Sequence, residues 1–269
     1  MSTILDTIAE YTKTRIEISK KDVSLTEIRK LAEQIKKQEK ENADREFIFE
    51  KQLKKDDISF ICECKKASPS KGIIAEKFDY LEIAGEYEKA GASAISVLTE
   101  PKWFLGSNDY LKEIAKAVKI PCLRKDFTVD EYMIYEAKTL GASAVLLICA
   151  ITENERLKEY IQVCDSLGLS ALVETHDEKE IESALTANAR VIGVNNRNLK
   201  DFTVDIHTSE RLKKLVPDDI CFVAESGIKT AADIQRLREA KVNAVLIGET
   251  FMLAENKKQM LDTLKGKSL

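Results

Sequence analysis

Five stretches of this chain put polar, ionisable or amide side chains where the neighbouring residues are apolar. Glu63 and Lys65 lie in Phe60-Ile61-Cys62-Glu63-Cys64-Lys65-Lys66, and Lys125 lies in Leu123-Arg124-Lys125-Asp126-Phe127. Glu174 follows Ala171-Leu172-Val173, Asn195 follows Val191-Ile192-Gly193-Val194, and Glu225 follows Phe222-Val223-Ala224. One such residue reads as a charge reaching water at the end of a strand, or as a structural ion pair. Several in equivalent places point to chemistry, because burying a charge costs several kcal/mol unless it is paired or used. Lysines beside carboxylates are material for general acid–base catalysis.

A second set of residues suits an anion. Ser226-Gly227-Ile228-Lys229-Thr230 and Gly248-Glu249-Thr250 are short glycine turns, each after an apolar run. Glycine lets backbone N–H groups approach phosphate oxygens closely. Ser68-Pro69-Ser70-Lys71-Gly72 adds hydroxyls and a cation. The Glu249 carboxylate would repel phosphate, so only its backbone N–H is assigned to binding. Trp103 and Phe104 either wall such a site or pack beneath a loop. His176 and His207 read as surface or packing histidines.

The elements that must hold these residues are legible as a repeat. Ala90-Gly91-Ala92-Ser93-Ala94 runs into Ile95-Ser96-Val97-Leu98, and Leu140-Gly141-Ala142-Ser143-Ala144 runs into Val145-Leu146-Leu147-Ile148. Val191-Ile192-Gly193-Val194 and Val245-Leu246-Ile247-Gly248 continue the series at about 50-residue intervals, a period typical of repeat architectures. Apolar runs without alternation are strands buried on both faces, as in parallel sheets. Further strands fall between them, at Pro121–Lys125, Ser170–Glu174 and Ile220–Glu225, with one more over Ile58–Ala67. Amphipathic stretches at Tyr110–Val118, Asn154–Leu167 and Ala231–Ala240 separate them. Eight βα units from Ser59 to about Lys265 predict a closed (β/α)8 barrel, with chemistry at the C-terminal strand ends. Within the first strand, Glu63 and Lys65 share one face, and Cys62 and Cys64 the other.

The 269 residues suffice for one such barrel, of roughly 250 residues. We read residues 1–57 as an N-terminal helical extension packed on the barrel and 58–269 as the barrel, one structural domain overall. Leu25–Lys37 and Glu46–Lys54 are its expected helices, capping the bottom of the barrel or forming a lid near its mouth. The net charge of −4 argues against nucleic acid and anionic membrane as partners, though not against a local basic patch. Six scattered cysteines without a C-x-x-C pair, and two histidines, make a zinc site unexpected. Cys62 and Cys64 read as core thiols. Met1–Asp6 shows no basic, apolar leader, so a cytoplasmic protein with reduced thiols is expected.

Taken in order, these stretches resemble the indole-3-glycerol-phosphate synthase family. The similar segments are Glu63–Gly72, Ile95–Thr99, Leu123–Phe127, Leu172–His176, Gly193–Leu199, Glu225–Ile228 and Leu246–Glu249. The sequence departs from the family's usual pattern at Met133, Ser143 and Thr175, none of which touches the chemistry the resemblance implies. The resemblance implies ring closure of 1-(2-carboxyphenylamino)-1-deoxyribulose 5-phosphate, with loss of carbon dioxide and water. It implies no metal or organic cofactor, and a functional association with other enzymes of tryptophan biosynthesis. It implies Lys125 as proton donor, Lys65 as counter-ion to the substrate carboxylate, Glu174 as acid/base and Glu63 as its orienting partner. Asn195 and Glu225 are then hydrogen-bonding positioners, and Arg197 steadies substrate or loop. Ser68 and the N–H groups of Ser226, Gly227, Gly248 and Glu249 hold phosphate, and Phe104 and Phe127 face the anthranilate ring. The residues alone do not decide which lysine donates at each step. Two other readings stay open: a phosphate-binding aldolase with Lys125 as Schiff-base nucleophile, and an inactive barrel that binds or assembles. The intact lysines and glutamates argue against the second.

Overall fold

The computed structural model describes residues 3–39, 46–198 and 201–267; Leu199, quoted above, lies outside them. Eight parallel strands close a barrel: β1 (Ser59–Cys64), β2 (Ala94–Leu98), β3 (Cys122–Lys125), β4 (Ala144–Ile148), β5 (Ser170–Thr175), β6 (Val191–Asn195), β7 (Cys221–Glu225) and β8 (Ala244–Ile247). Each pairs with its sequence neighbours, and β1 closes the ring against β8, with Ser59 opposite Ala244. The first strand is shorter than the sequence suggests. The chain leaves the ladder at Lys65, and Ala67–Ser68 pairs antiparallel with Gly72–Ile73 in a small hairpin.

Helices follow the strands on the outside. Their apolar faces and the outward strand residues, such as Phe60, Ile95, Val145 and Phe222, form one buried shell. A second, inner cluster fills the barrel with Ile61, Leu123, Leu146, Leu172, Val223 and Leu246. Cys62 and Cys64 belong to the outer shell, where burial raises both thiols above their ordinary values. No helix among the described residues is long and apolar enough to cross a membrane.

Among the described residues three helices precede the barrel, one at its mouth, one on its flank and one at its bottom. The sequence reading missed the first, α1 (Ile4–Asp22). Thr3 caps it, and Asp6 returns the bond to the Thr3 backbone, a reciprocal capping box. It buries Leu5, Ile8, Ala9, Thr12 and Ile16, a helical stripe. Arg15 carries this helix to the barrel mouth, gripping both Asp126 oxygens at 2.8 and 2.9 Å. Next, α2 (Leu25–Glu39) packs on the flank against the helix Tyr132–Thr139, linked by Lys138 to Glu39 at 2.5 Å. The last, α3 (Ile48–Leu53), sits at the bottom. Its Gln52 carbonyl accepts from Ser59 at the start of β1, and Phe49 and Leu53 plug the inner cluster.

Candidate active site

The barrel interior is built in layers, and alternation decides what fills them. Ile61, Leu123, Leu172 and Val223 point inward from β1, β3, β5 and β7, all fully buried. Two residues further along the same strands stand Glu63, Lys125, Glu174 and Glu225. One turn of the pleat thus replaces an aliphatic layer by an ionisable one. Asn195 lies opposite Glu225 in the β6–β7 register.

The Lys125 ammonium lies 3.3 Å from Glu174 Oε2 and 3.7 Å from Glu225 Oε2. Lys65 pairs with Glu63 at 2.8 Å, and the Ser96 hydroxyl donates to the other Glu63 oxygen at 3.1 Å. The Asn195 amide donates to Glu174 Oε1 at 3.4 Å, while its own oxygen accepts from the Arg197 backbone N–H at 3.1 Å.

Burial and pairing sort the protonation states. Burial alone would discharge Lys125, but Glu174, Glu225 and Glu63 hold it charged, well above its ordinary value. Burial opposes ionisation of Glu174 as well, yet Lys125, His176 and Asn195 keep its carboxyl well below the usual range. Glu63 is likewise lowered, against burial, by Lys65 and Lys125. Glu225 goes the other way. Burial, with Glu174 and Glu63 nearby, outweighs Lys125 and pushes it up to about 8. Its Oε1 is buried without a hydrogen-bond partner. The two carboxyls beside the single ammonium are therefore driven in opposite directions, the pattern that separates acid from base roles.

Two glycines make room for this layer. A Cβ on Gly193 would collide with Glu225 Oε1. A Cβ on Gly248 would lie 2.6 Å from Glu63 Oε1 and 2.9 Å from Lys65 Nζ.

Above the charged layer opens a cavity of about 600 Å³. All the residues singled out from the sequence line it: Glu63, Lys65, Ser68, Phe104, Lys125, Phe127, Glu174, Asn195, Arg197, Glu225, Ser226, Gly227, Gly248 and Glu249. Ser226 and Gly227 both adopt positive φ, 68° and 81°, so this turn presents successive backbone N–H groups as a concave nest. Gly248 precedes the short helix Glu249–Leu253. The Glu249 carboxylate is drawn to Lys71 at 3.4 Å. Phe104 and Phe127 face each other with ring centroids 6.1 Å apart. Trp103 instead packs edge-on against Tyr11 of α1, centroids 5.3 Å apart.

Sequence reasoning missed several contributors. Ile4, Leu5 and Ile8 of α1 roof the cavity, and Phe202 and Val204 join its rim, beside Lys71 of the serine-rich loop and Lys229 of the first glycine turn, both quoted from the sequence. Glu100 is fully buried and accepts from the N–H groups of Lys102, Trp103 and Phe104 at 2.7 to 3.0 Å, fixing the loop that carries Phe104. A carboxylate directly after the apolar run Ile95–Leu98 and Thr99 was the available signal. His176, read as a packing residue, stands between Glu174 (3.4 Å) and Glu180 (3.0 Å). His207 is exposed beside Glu210.

Known proteins are similar to this chain over nearly its whole length. The family described as indole-3-glycerol phosphate synthase matches residues 5–264. The indole-3-glycerol phosphate synthase of Ruminiclostridium cellulolyticum is 55% identical over 98% of this chain and 99% of its own. That of Lachnoclostridium phytofermentans is 51% identical over 97% of this chain and 98% of its own. Among solved structures, a 3-hexulose-6-phosphate synthase shares the fold with a TM-score of 0.61 at 13% identity, covering 78% of this chain and 99% of that one. A thiamine phosphate pyrophosphorylase from Pyrococcus furiosus gives 0.59 at 14% identity, over 78% and 94%. The fold likeness is that of a phosphate-handling barrel only in those names; the near-complete sequence match goes further, and the chain belongs to the indole-3-glycerol phosphate synthase family.

Proposed function

We propose that the mouth of this barrel closes the indole ring of 1-(2-carboxyphenylamino)-1-deoxyribulose 5-phosphate, releasing carbon dioxide and water. By family the chain is an enzyme of tryptophan biosynthesis, a carboxy-lyase. The observation that carries the assignment of roles is the Lys125 ammonium 3.3 Å from Glu174 and 3.7 Å from Glu225, at the floor of the cavity.

The substrate's ring carbon is a weak nucleophile, so the ketone needs a proton donor. Lys125 gives its proton to the ketone oxygen as the carbon–carbon bond forms. Lys65 faces the substrate carboxylate until the bond to carbon dioxide breaks and its electron pair restores the aromatic ring. Dehydration follows: Glu174 takes a proton from the adjacent CH2 and returns it to the new hydroxyl, which leaves as water. Glu63 holds Lys65, and Asn195 and Glu225 fix the reacting groups by hydrogen bonds. Arg197 steadies the loop after β6. Ser68 and the N–H groups of Ser226, Gly227, Gly248 and Glu249 hold the phosphate, while Phe104 and Phe127 take the anthranilate ring. A charged Lys125 disfavours the Schiff-base alternative, which needs a neutral amine.

Residues 1–57 act as an extension of the same structural domain, the barrel spanning 58–269. The working compartment is the cytoplasm, with other tryptophan-pathway enzymes as functional partners. The test is incubation with the carboxyphenylamino-ribulose phosphate while indole absorbance and fluorescence are followed. Indole signal with stoichiometric carbon dioxide supports the reading. A borohydride-trapped lysine adduct without indole overturns it.

A further inference from the structure

His176 does not line the cavity, yet it is the nearest group behind Glu174. It follows β5 by one residue, so alternation returns it to the Glu174 side of the strand. The next element fixes it. Asp177 caps the helix Glu178–Thr186 by accepting from the Glu180 N–H at 2.9 Å. That cap turns Glu180 back over His176. One Glu180 oxygen accepts from the His176 backbone N–H at 2.8 Å and meets the ring Nδ1 at 3.0 Å. The other ring nitrogen, Nε2, is buried, has no aligned hydrogen bond, and lies 3.4 Å from Glu174 Oε1.

A carboxylate on each side of an imidazole calls for N–H groups on both nitrogens, the cationic form. We propose that His176 is a permanently charged positioning residue that pins Glu174 Oε1 from behind and holds Glu174 ionised. The groups facing it come from several elements. Glu174 and Glu180 are in contact, and Asp177 lies on its own loop. Lys125 and Glu225 stand beyond Glu174, and the Cys149 thiol reaches the Glu180 carbonyl at 3.7 Å. Burial works against the charge, but the two carboxylates prevail and raise the imidazole to about 10. Oε1 of Glu174 is thus held by His176 and Asn195, which leaves Oε2 toward Lys125 and the cavity. Glu180 completes a carboxylate–imidazolium–carboxylate chain. It keeps the positive charge in place without bringing a further cation into the cavity.

This inference rests on the acid/base reading of Glu174, and the experiment separates the two. The kcat–pH profile is measured for the wild type, His176→Asn, Glu180→Gln and Glu174→Gln, with the titration of the His176 ring followed by NMR in the wild type. An opposite charge at this distance lowers a carboxyl by about 1–3 pH units. In His176→Asn the acid-side loss of kcat should therefore move to higher pH by about one unit or more. Glu180→Gln should move it the same way by less, and KM should hardly change in either. The ring signal should stay in its protonated position through neutrality. Near-native turnover in Glu174→Gln overturns the role given to Glu174. An inactive Glu174→Gln with an unmoved acid limb in His176→Asn and Glu180→Gln overturns the role of His176 alone. So does a His176 ring that titrates near the ordinary imidazole value, and this arm stands even if His176→Asn does not fold.

Discussion

Two adjacent layers of the barrel interior are built by the same four strands. The lower holds Ile61, Leu123, Leu172 and Val223; the upper holds Glu63, Lys125, Glu174 and Glu225. The lower layer is fully buried; in the upper, Glu63, Glu174 and Glu225 are buried and Lys125 keeps some exposure toward the cavity. The lower gains stability from close packing at aliphatic contacts. The upper surrenders some, because desolvated charges are at best repaid by their partners and Glu225 is left with an oxygen unpaired. Backbone geometry is the same in both, so side-chain chemistry alone makes one layer a core and the other a reaction floor.

The sharpest break between them is Glu174→Gln. It keeps shape and one acceptor but cannot exchange a proton. It should lower kcat by about 10²–10⁴-fold while thermal unfolding shifts little. Two residues below, Leu172→Ala should do the reverse. It should lose about 2–5 kcal/mol in denaturant titration, with near-normal kcat in the folded fraction. A large kcat loss in Leu172→Ala under folding conditions would mean the layers are not separable.

A smaller effect is expected at the rim. Gly227 sits at φ 81° against Val204, so Gly227→Val strains the turn and crowds its N–H groups. KM should rise by about tenfold or more with kcat little changed, as when binding shared by ground and transition states is lost. Inorganic phosphate should compete with substrate in the wild type and weakly in the variant. A fall in kcat at constant KM would remove this turn from phosphate binding.

The smallest effect is a pH dependence of stability within the upper layer. Glu225 is raised from an ordinary carboxyl value to about 8 in the folded chain. Between about 4.5 and 8 the folded state therefore retains a proton that the unfolded state has lost, and this group's contribution to stability falls as pH rises. Glu225→Gln carries no such penalty. Its melting temperature relative to the wild type should climb across that window and level off above it. A difference independent of pH would place the Glu225 carboxyl near its ordinary value.

Most of the barrel was legible because both-face burial forces continuous apolar runs, and Val145-Leu146-Leu147-Ile148 is a strand by composition alone. The upper layer was legible for the converse reason: Glu63, Lys125, Glu174 and Glu225 interrupt such runs at a constant place. Helix α1 was not, since its buried stripe of Leu5, Ile8 and Ile16 is diluted by charged neighbours and its anchor, Arg15, meets Asp126 from 111 residues away. The capping pair Thr3 and Asp6 was the unused sign. His176 stayed hidden because its surroundings depend on how the Asp177 cap turns Glu180 back over it. Gly193 looked like one more small strand residue, and only the opposing Glu225 side chain reveals what its missing Cβ allows.

The central claim is that the upper layer moves protons, with Lys125 as the donor. Comparing kcat of Lys125→Ala and Lys125→Arg tests it most directly. The alanine variant should lose about 10²-fold or more. The arginine variant should stay near that level, because a guanidinium keeps the charge but gives up a proton poorly. Recovery of most of the activity in Lys125→Arg would contradict the account, making Lys125 a counter-ion and Lys65 the donor.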